Sequence, residues 1–467
     1  MTECTSREFR SKAPGRRECV ARFNGGDITS DAGVLLLGAV EERREVLRRF
    51  AECFEDHRDP TRVEHTCLEL VAQRVLAIAL GYEDVNDHER LRLDPLLASV
   101  IGKADPKGRS RKRSRDEGYG LAAPSTLHRL ELSHPNLAES DRYRRIALNQ
   151  EQADQLMIDL CIEAHDEPPD EIVLDLDATD DHVHGNQIGR FFHGYYDHYC
   201  FLPLYIFAGE HLLCARLRTS NRDGADGCLD ELERIVPRLR KAWPQTRIVV
   251  RGDSGFCREY LMAWCESQPN VEYVLGLARN ERLVAKIEKD LEAMHQQLIA
   301  TRSAARTFRN LRYRTLNSWS RSRRVVAKAE HLWRGSNPRF VVTSLTRKHC
   351  DARELYEERY CARGDMENRI KEQQLDLFAD RTSCTVFRAN EVRVYMSSFA
   401  YVLMSELRRL GLAGTEMARA QCGTIRTKLL KIGARVRVTV RKIWISMSES
   451  YPYQGLVQEV WARLCPT

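Results

Sequence analysis

The sequence predicts an α/β protein with a helical N-terminal region, on three observations. Two short apolar runs, EIVLDLD (171–177) and RIVVRGD (247–253), have the length of buried strands and end in an acid. Between them, Leu229, Leu232, Ile235, Val236 and Leu239 recur at helical spacing within 225–243. Earlier, CLELVAQRVLAIALGY repeats apolar residues with the same period until Gly81, a helix stop. With 467 residues, the chain exceeds what one hydrophobic core usually holds, so two or three domains are expected.

The elements follow in order. Residues 30–100 read as helices. The stretch GKADPKGRSRKRSRDEGYG (102–120) is polar and basic, hence a loop. A helix then starts near Pro124, with Ser125 as its cap. After Pro168-Pro169 come strands at Glu171–Asp177, Tyr199–Phe207 and Leu212–Leu217, the last two separated by a turn at Gly209. The helix 225–243, a strand Arg247–Gly252, a short helix 258–267 and a strand Val271–Ala278 complete the series. Three strands, helix, strand, helix, strand is the order of a ribonuclease-H-like core, whose first three strands form an antiparallel meander. Strand-like runs at Val325–Ala327 and Phe340–Val342 mark an inserted, mostly β domain, followed by helices over 351–378 and 389–411. The tail GARVRVTVRKIWISMS reads as one half-buried strand, with Val436, Val438 and Val440 on one face and Arg435, Arg437 and Arg441 on the other. The expected domains are 1–165, a mostly helical N-terminal region; 166–280, the first part of the core; 281–350, the basic β-rich insertion; and 351–467, the helical second part with a basic tail.

The net charge is +6, but its distribution is uneven. Residues 101–115 hold seven Lys/Arg against one Asp, 301–349 thirteen against one Glu, and 381–467 fourteen against five acids, leaving the rest acidic. Positive charge gathered into segments is the footprint of a polyanion binder. No apolar run reaches membrane-spanning length and the N-terminus lacks a signal-peptide core, so a cytoplasmic address with no membrane contact is expected. Fifteen scattered cysteines without a CxxC pair then read as reduced thiols. Cys53, His57, His65 and Cys67 can be written as a zinc site, but their spacing matches no common ligand pattern.

Asp177 and Asp253 close apolar strands, where a sheet fixes side chains; Tyr360, Arg363 and Glu367 step by three and four along a helix and share one face. Three converging carboxylates repel one another unless divalent cations hold them. Two Mg²⁺ (or Mn²⁺) ions suit such oxygen donors and support in-line phosphoryl transfer without a side-chain nucleophile.

The set Asp177-Ala178-Thr179, Gly252-Asp253-Ser254-Gly255-Phe256 and Tyr360-x2-Arg363-x3-Glu367 resembles the DDE-type insertion-sequence transposases whose last helix bears a YREK signature. The phrases GYEDVNDHERLRLDP, STLHRLE, FFHGYYDHYCFLPLYIF and LLKIGARVRVTVRK are similar to one subgroup of that clan, so the resemblance spans roughly 20–450. It implies catalytic metal ligands at Asp177, Asp253 and Glu367, and phosphate contacts from Tyr360 and Arg363. The signature lysine falls on Gln374 here, with Lys371 one helical turn after Glu367 as a substitute. Further DNA contacts are expected from Arg109, Arg111, Lys112 and Arg113, and base stacking from Trp319 or Trp333. The implied activity is binding of terminal inverted repeats, metal-dependent DNA cleavage and strand transfer, with a homodimer pairing the two ends. The alternatives are a catalytically silent domesticated DNA-binding protein and a ribonuclease-H-like nuclease without strand transfer.

Some neighbours admit plainer readings. Asp175 shares a strand face with Asp177 and is a supporting partner or an alternative ligand; Asp180 and Asp181 crowd the same loop, and Asp365 points away from Glu367. His182 and His184 read as loop histidines, and the run FFHGYY (191–196) as core or turn packing.

Overall fold

In the computed structural model, residues 8–12, 18–132 and 144–466 are described, and the chain divides into two compact units. One comprises residues 1–149, 376–378 and 399–467; the other comprises 150–375 and 379–398.

The first unit is mainly helical. Its central helix Cys67–Ala79 starts at a capping box, in which Thr66 accepts from the Glu69 amide and Glu69 accepts from the Thr66 amide. Leu70, Val71, Val75 and Leu76 are fully buried along it. Arg74 meets Glu131 at 2.9 Å in the interior, and the Gln73 amide bonds both backbone groups of Ala122. The helix Pro124–Glu131 is capped by Ala123 rather than Ser125, because Pro124 takes the first helical position, where no amide donor is needed. The expected C-terminal strand is a hairpin, Ala434–Val438 with Ile443–Met447, whose first strand also pairs Asp27–Thr29. Thr439 closes its turn, donating to the Lys442 carbonyl and accepting from the Lys442 amide. Val436 is therefore buried, whereas Val440 lies in the turn, fully exposed.

The second unit is built on a mixed sheet whose strands are numbered β1 (Glu171–Ala178), β2 (Leu204–Ala208), β3 (His211–Arg216), β4 (Arg247–Gly252), β5 (Val271–Leu277), β6 (Ala305–Tyr313), β7 (Arg323–Leu332) and β8 (Arg339–Thr343). Their spatial order is β3-β2-β1-β4-β5-β8-β7-β6. β1, β2 and β3 form the antiparallel meander, and β4 and β5 run parallel to β1, which is the ribonuclease-H-like arrangement. The helices Cys228–Ala242 and Glu259–Ser267 follow β3 and β4, burying Leu232, Ile235, Val236 and Leu239 on one and Leu261 and Met262 on the other. Burial of each such side chain stabilises the fold by about 1.5–3 kcal/mol relative to exposure.

Two expectations change in detail. The run Tyr199–Phe207 is two strands, His198–Phe201 and β2, in different sheets. Pro203 stands between them and has no amide to continue a ladder. The strands β6 to β8 of the basic segment extend the core sheet through antiparallel pairing of β8 with β5, and β6 becomes the terminal strand.

Much of the charge in that segment is neutralised within the fold. Arg323, 3% exposed, bridges Glu259 at 2.6 Å and Glu266 at 2.8 Å. Arg324 donates to the Leu345 and Cys350 carbonyls, and Lys328 pairs with Glu330. Arg323→Met is expected to destabilise the chain by about 3 kcal/mol, since it leaves Glu259 without its counter-ion and Glu266 with Arg321 alone. Urea unfolding measures this; an unchanged midpoint would make the bridge energetically neutral.

Candidate active site

β1 and β4 are neighbouring parallel strands in register, with Gly252 opposite Leu176. The chain therefore delivers Asp177 and Asp253 to adjacent positions at the same end of the sheet. Asp177 Oδ1 accepts from the Ala178 amide at 3.0 Å, and Asp253 Oδ1 accepts from the Gly255 amide at 2.8 Å, capping the turn Ser254–Phe256.

The third acid comes from a segment helical over 352–376, inside the expected 351–378. It is not a uniform α-helix: wide π turns at Leu355–Tyr360 and Glu372–Asp376 flank a tight turn at Cys361–Arg363 and the α-helix Gly364–Lys371. Such departures from regular winding concentrate at functional sites. Two contacts fix the segment against the strands. Arg251 donates to the Arg359 carbonyl at 2.5 Å, and Arg359 pairs with Glu171.

Asp177, Asp253 and Glu367 interact electrostatically, and the Arg363 guanidinium lies among them, 3.5 Å from Asp177 and 2.5 Å from Glu367. Burial pushes the Asp177 carboxyl up to about 7, opposed by Arg363 and reinforced by Asp253 and Glu367. Burial likewise raises the Tyr360 hydroxyl. Tyr360 reaches the Asp253 turn because β5 carries glycine opposite it: a Cβ on Gly276 would lie 2.6 Å from the Tyr360 hydroxyl and 2.8 Å from the Ser254 amide nitrogen. Sequence reasoning missed Gly276, although a glycine inside a strand is a known sign of close approach.

The Asp177 shift has a sign that thermal unfolding in chelator can check. The unfolded chain titrates this group near 3.8 and the folded chain near 7. The folded state thus holds a proton that the unfolded state has lost, and the contribution to stability is full below 3.8 and gone above about 7. Asp177→Asn is expected to match wild type at pH 4 and to melt higher at pH 8 without divalent cations. A lower melting temperature at pH 8 would contradict the repulsion.

The neighbouring acids separate by role. Asp175, directly opposite Arg251, forms a buried two-pronged pair with it at 2.5 and 2.7 Å, which makes it a support for the strands rather than an open ligand. Asp180 pairs with His198 at 2.8 Å, Asp181 is buried, and Asp365 is exposed. His182 stacks on His198 and lies tilted against His184. Gln374, at the signature-lysine position, donates to the Asp180 carbonyl at 3.1 Å, while Lys371 is exposed. Phe191, Phe192 and Tyr195, expected in packing, are exposed on the hairpin Phe191–His193/His198–Phe201.

Trp319 does not meet its expected stacking role. It is 4% exposed, packed edge-on against Tyr313 with the Arg323 guanidinium 5.5 Å above its ring, so its faces are closed to a DNA base. Trp333 is 71% exposed. In the helical unit, Arg111, Lys112 and Arg113 line a cleft of about 1040 Å³ with Arg58, Arg62 and Arg129. Arg109 is exposed on the same loop. Arg111 is held by His65 at 2.8 Å, and the Lys112 ammonium by the Thr61 carbonyl. Cys53 and Cys67 donate to the Arg49 and Ala51 carbonyls; they are not gathered with His57 and His65 into a metal-ligating group.

Carboxylates on two neighbouring strand ends and one helix of a ribonuclease-H-like sheet define the DDE class of protein. The model of the family "Transposase DDE domain group 1" matches residues 11–467, and the chain belongs to this family. Among solved structures, it is similar to the piggyBac transposase synaptic complex with hairpin DNA, determined by cryo-EM. The identity is 12% and the TM-score 0.42, with 86% of this chain and 79% of that chain covered. No curated protein matches the chain. Among the described residues, no helix is long and apolar enough to cross a membrane.

Proposed function

We propose that this chain binds the terminal inverted repeats of an insertion sequence, cuts the DNA strand at each end, and joins the freed 3′-hydroxyl to target DNA. The observation that carries this reading is the convergence of Asp177, Asp253 and Glu367 around Arg363, with Asp177 holding its proton to about 7. A carboxyl whose charge is penalised by burial and by two neighbouring acids fits a cation site, and an all-oxygen donor set suits Mg²⁺ or Mn²⁺ rather than zinc. When bound, two such ions would activate the attacking oxygen and stabilise the leaving one.

The remaining roles belong to the chain itself. Arg363, the only cation within bonding reach of both Asp177 and Glu367 among the described residues, offers a planar fork suited to a phosphate. Tyr360 orients the terminal phosphates from beside the Asp253 turn, and Lys371 extends from the next helical turn. The cleft bearing Arg111, Lys112 and Arg113, with Arg109 beside it, would hold the duplex backbone. Its affinity should then fall steeply with salt. Pairing two element ends calls for two copies of the chain, a homodimer in the synaptic complex.

The test incubates the purified chain with Mg²⁺, a DNA fragment carrying the flanking inverted repeat, and a target plasmid. Nicking at the repeat end followed by a joined product is expected. Cleavage without any joined product would make the protein a nuclease. Specific binding without cleavage in either Mg²⁺ or Mn²⁺ would make it a DNA-binding protein that has lost its chemistry.

A further inference from the structure

Away from the carboxylates, a second group of side chains has the composition of a metal site. Cys161 lies in the last turn of the helix Gln150–Glu163, His165 just beyond that helix, and His211 opens β3 directly after the turn at Gly209. One ligand atom from each, the Cys161 Sγ and one ring nitrogen of each histidine, lies within 4.8 Å of the others. We propose that Cys161, His165 and His211 bind a zinc ion, with water as the fourth ligand.

Three observations support the assignment. The donor set of one thiolate and two imidazoles is the one zinc prefers, and it is foreign to Mg²⁺. Tetrahedral bonds of about 2.0–2.3 Å place ligand atoms roughly 3.3–3.8 Å apart, so side-chain shifts of about 1 Å bring these three into a coordination shell. The His165 Nδ1 lies 2.8 Å from the Cys161 carbonyl oxygen, to which it donates, the kind of bond that zinc-bound histidines make with their non-coordinating nitrogen, and this leaves Nε2 as the ring's lone-pair donor. The ring also stands edge-on to Trp243 at 5.0 Å, which limits its rotation. On binding, the Cys161 thiol loses its proton to solvent and the S–Zn bond forms; no redox partner is required. The ion would tie the end of the helix, eight residues before β1 begins, to the hairpin that flanks β1.

The test uses the full chain, purified and dialysed against metal-free buffer, and titrated with Zn²⁺ against a chromophoric chelator and with Co²⁺. One tight zinc equivalent per chain is expected, with a thiolate-to-cobalt absorption band that an all-oxygen site cannot give. His211→Ala and His165→Gln, checked for folding by far-UV circular dichroism, should each weaken zinc by more than about 100-fold, beyond the loss that follows removal of an outer hydrogen-bond partner. Cys161→Ser should abolish the band, and Asp253→Asn should leave it intact. A folded chain that retains no zinc and gives no band would overturn the proposal. So would a band that survives Cys161→Ser, or one lost only with Asp253→Asn.

Discussion

Asp253→Asn is expected to reduce Mg²⁺-dependent cleavage at the repeat end by at least about 10³-fold, while DNA binding stays within about twofold. The loss follows from charge. The substitution removes a formal negative oxygen from a site whose proposed metal ions supply several kcal/mol to the transition state, and each 1.36 kcal/mol is a factor of ten in rate. The fold should survive, because the acceptor that caps the Ser254–Phe256 turn is Asp253 Oδ1, and an asparagine carbonyl can accept from the Gly255 amide in its place. Single-turnover cleavage and a gel-shift titration measure the two quantities separately. A rate within tenfold of wild type would remove Asp253 from the chemistry; a matching loss of binding would assign it to DNA affinity.

Gly276→Ala is expected to be nearly as damaging, though the residue touches no substrate. An added Cβ would stand 2.6 Å from the Tyr360 hydroxyl, 2.8 Å from the Ser254 nitrogen and 3.1 Å from the Asp253 carbonyl carbon. Tyrosine can swing aside, but the two backbone atoms move only with the turn that aims Asp253. Overpacking of this kind costs about 1–3 kcal/mol of stability. Displacing a reacting group by as little as an ångström costs about 10²-fold in rate. Combining it with Tyr360→Phe relieves one contact of the three, so the double variant should regain part of the stability but not the cleavage rate. Full activity in Gly276→Ala would mean that the turn is softer than its packing suggests.

Much of this architecture was legible in the sequence, because local periodicity and long-range position coincide in the core. An apolar run ending in an acid is both a strand and a place to hold a carboxylate, so Asp177 and Asp253 declared themselves together with β1 and β4. The spacing of Tyr360, Arg363 and Glu367 was equally informative despite the π turns around it, since one helical face survives local changes of winding. What stayed hidden depends on partners far away in the chain. Whether β8 would join β5 rests on pairing between residues some seventy positions apart. Trp319 looked available in a basic, polar stretch, and only tertiary packing placed it beneath Arg323. Arg251 and Asp175 form one buried pair across two strands, yet the sequence offers Arg251 merely as the residue before the Gly-Asp turn. Likewise Cys161 and His165 are close in sequence, but the third member of their group, His211, comes from a separate hairpin.

The enlarged sheet also has a bearing on how the protein behaves at high concentration. Sheets that grow by added strands expose a new border each time, and unpaired backbone there invites strands from other molecules. Here β6 is that border, and Arg306, Arg309 and Arg312 stand exposed along it. Arg306 and Arg309 are further engaged with Glu357 and Asp290. A strand from a second molecule would have to strip water from this row of guanidinium groups and disturb their carboxylate partners before gaining a backbone bond. The same arginines that look like a nucleic-acid footprint in the sequence therefore act as a barrier to fibrous self-assembly, keeping the widened sheet from becoming a template.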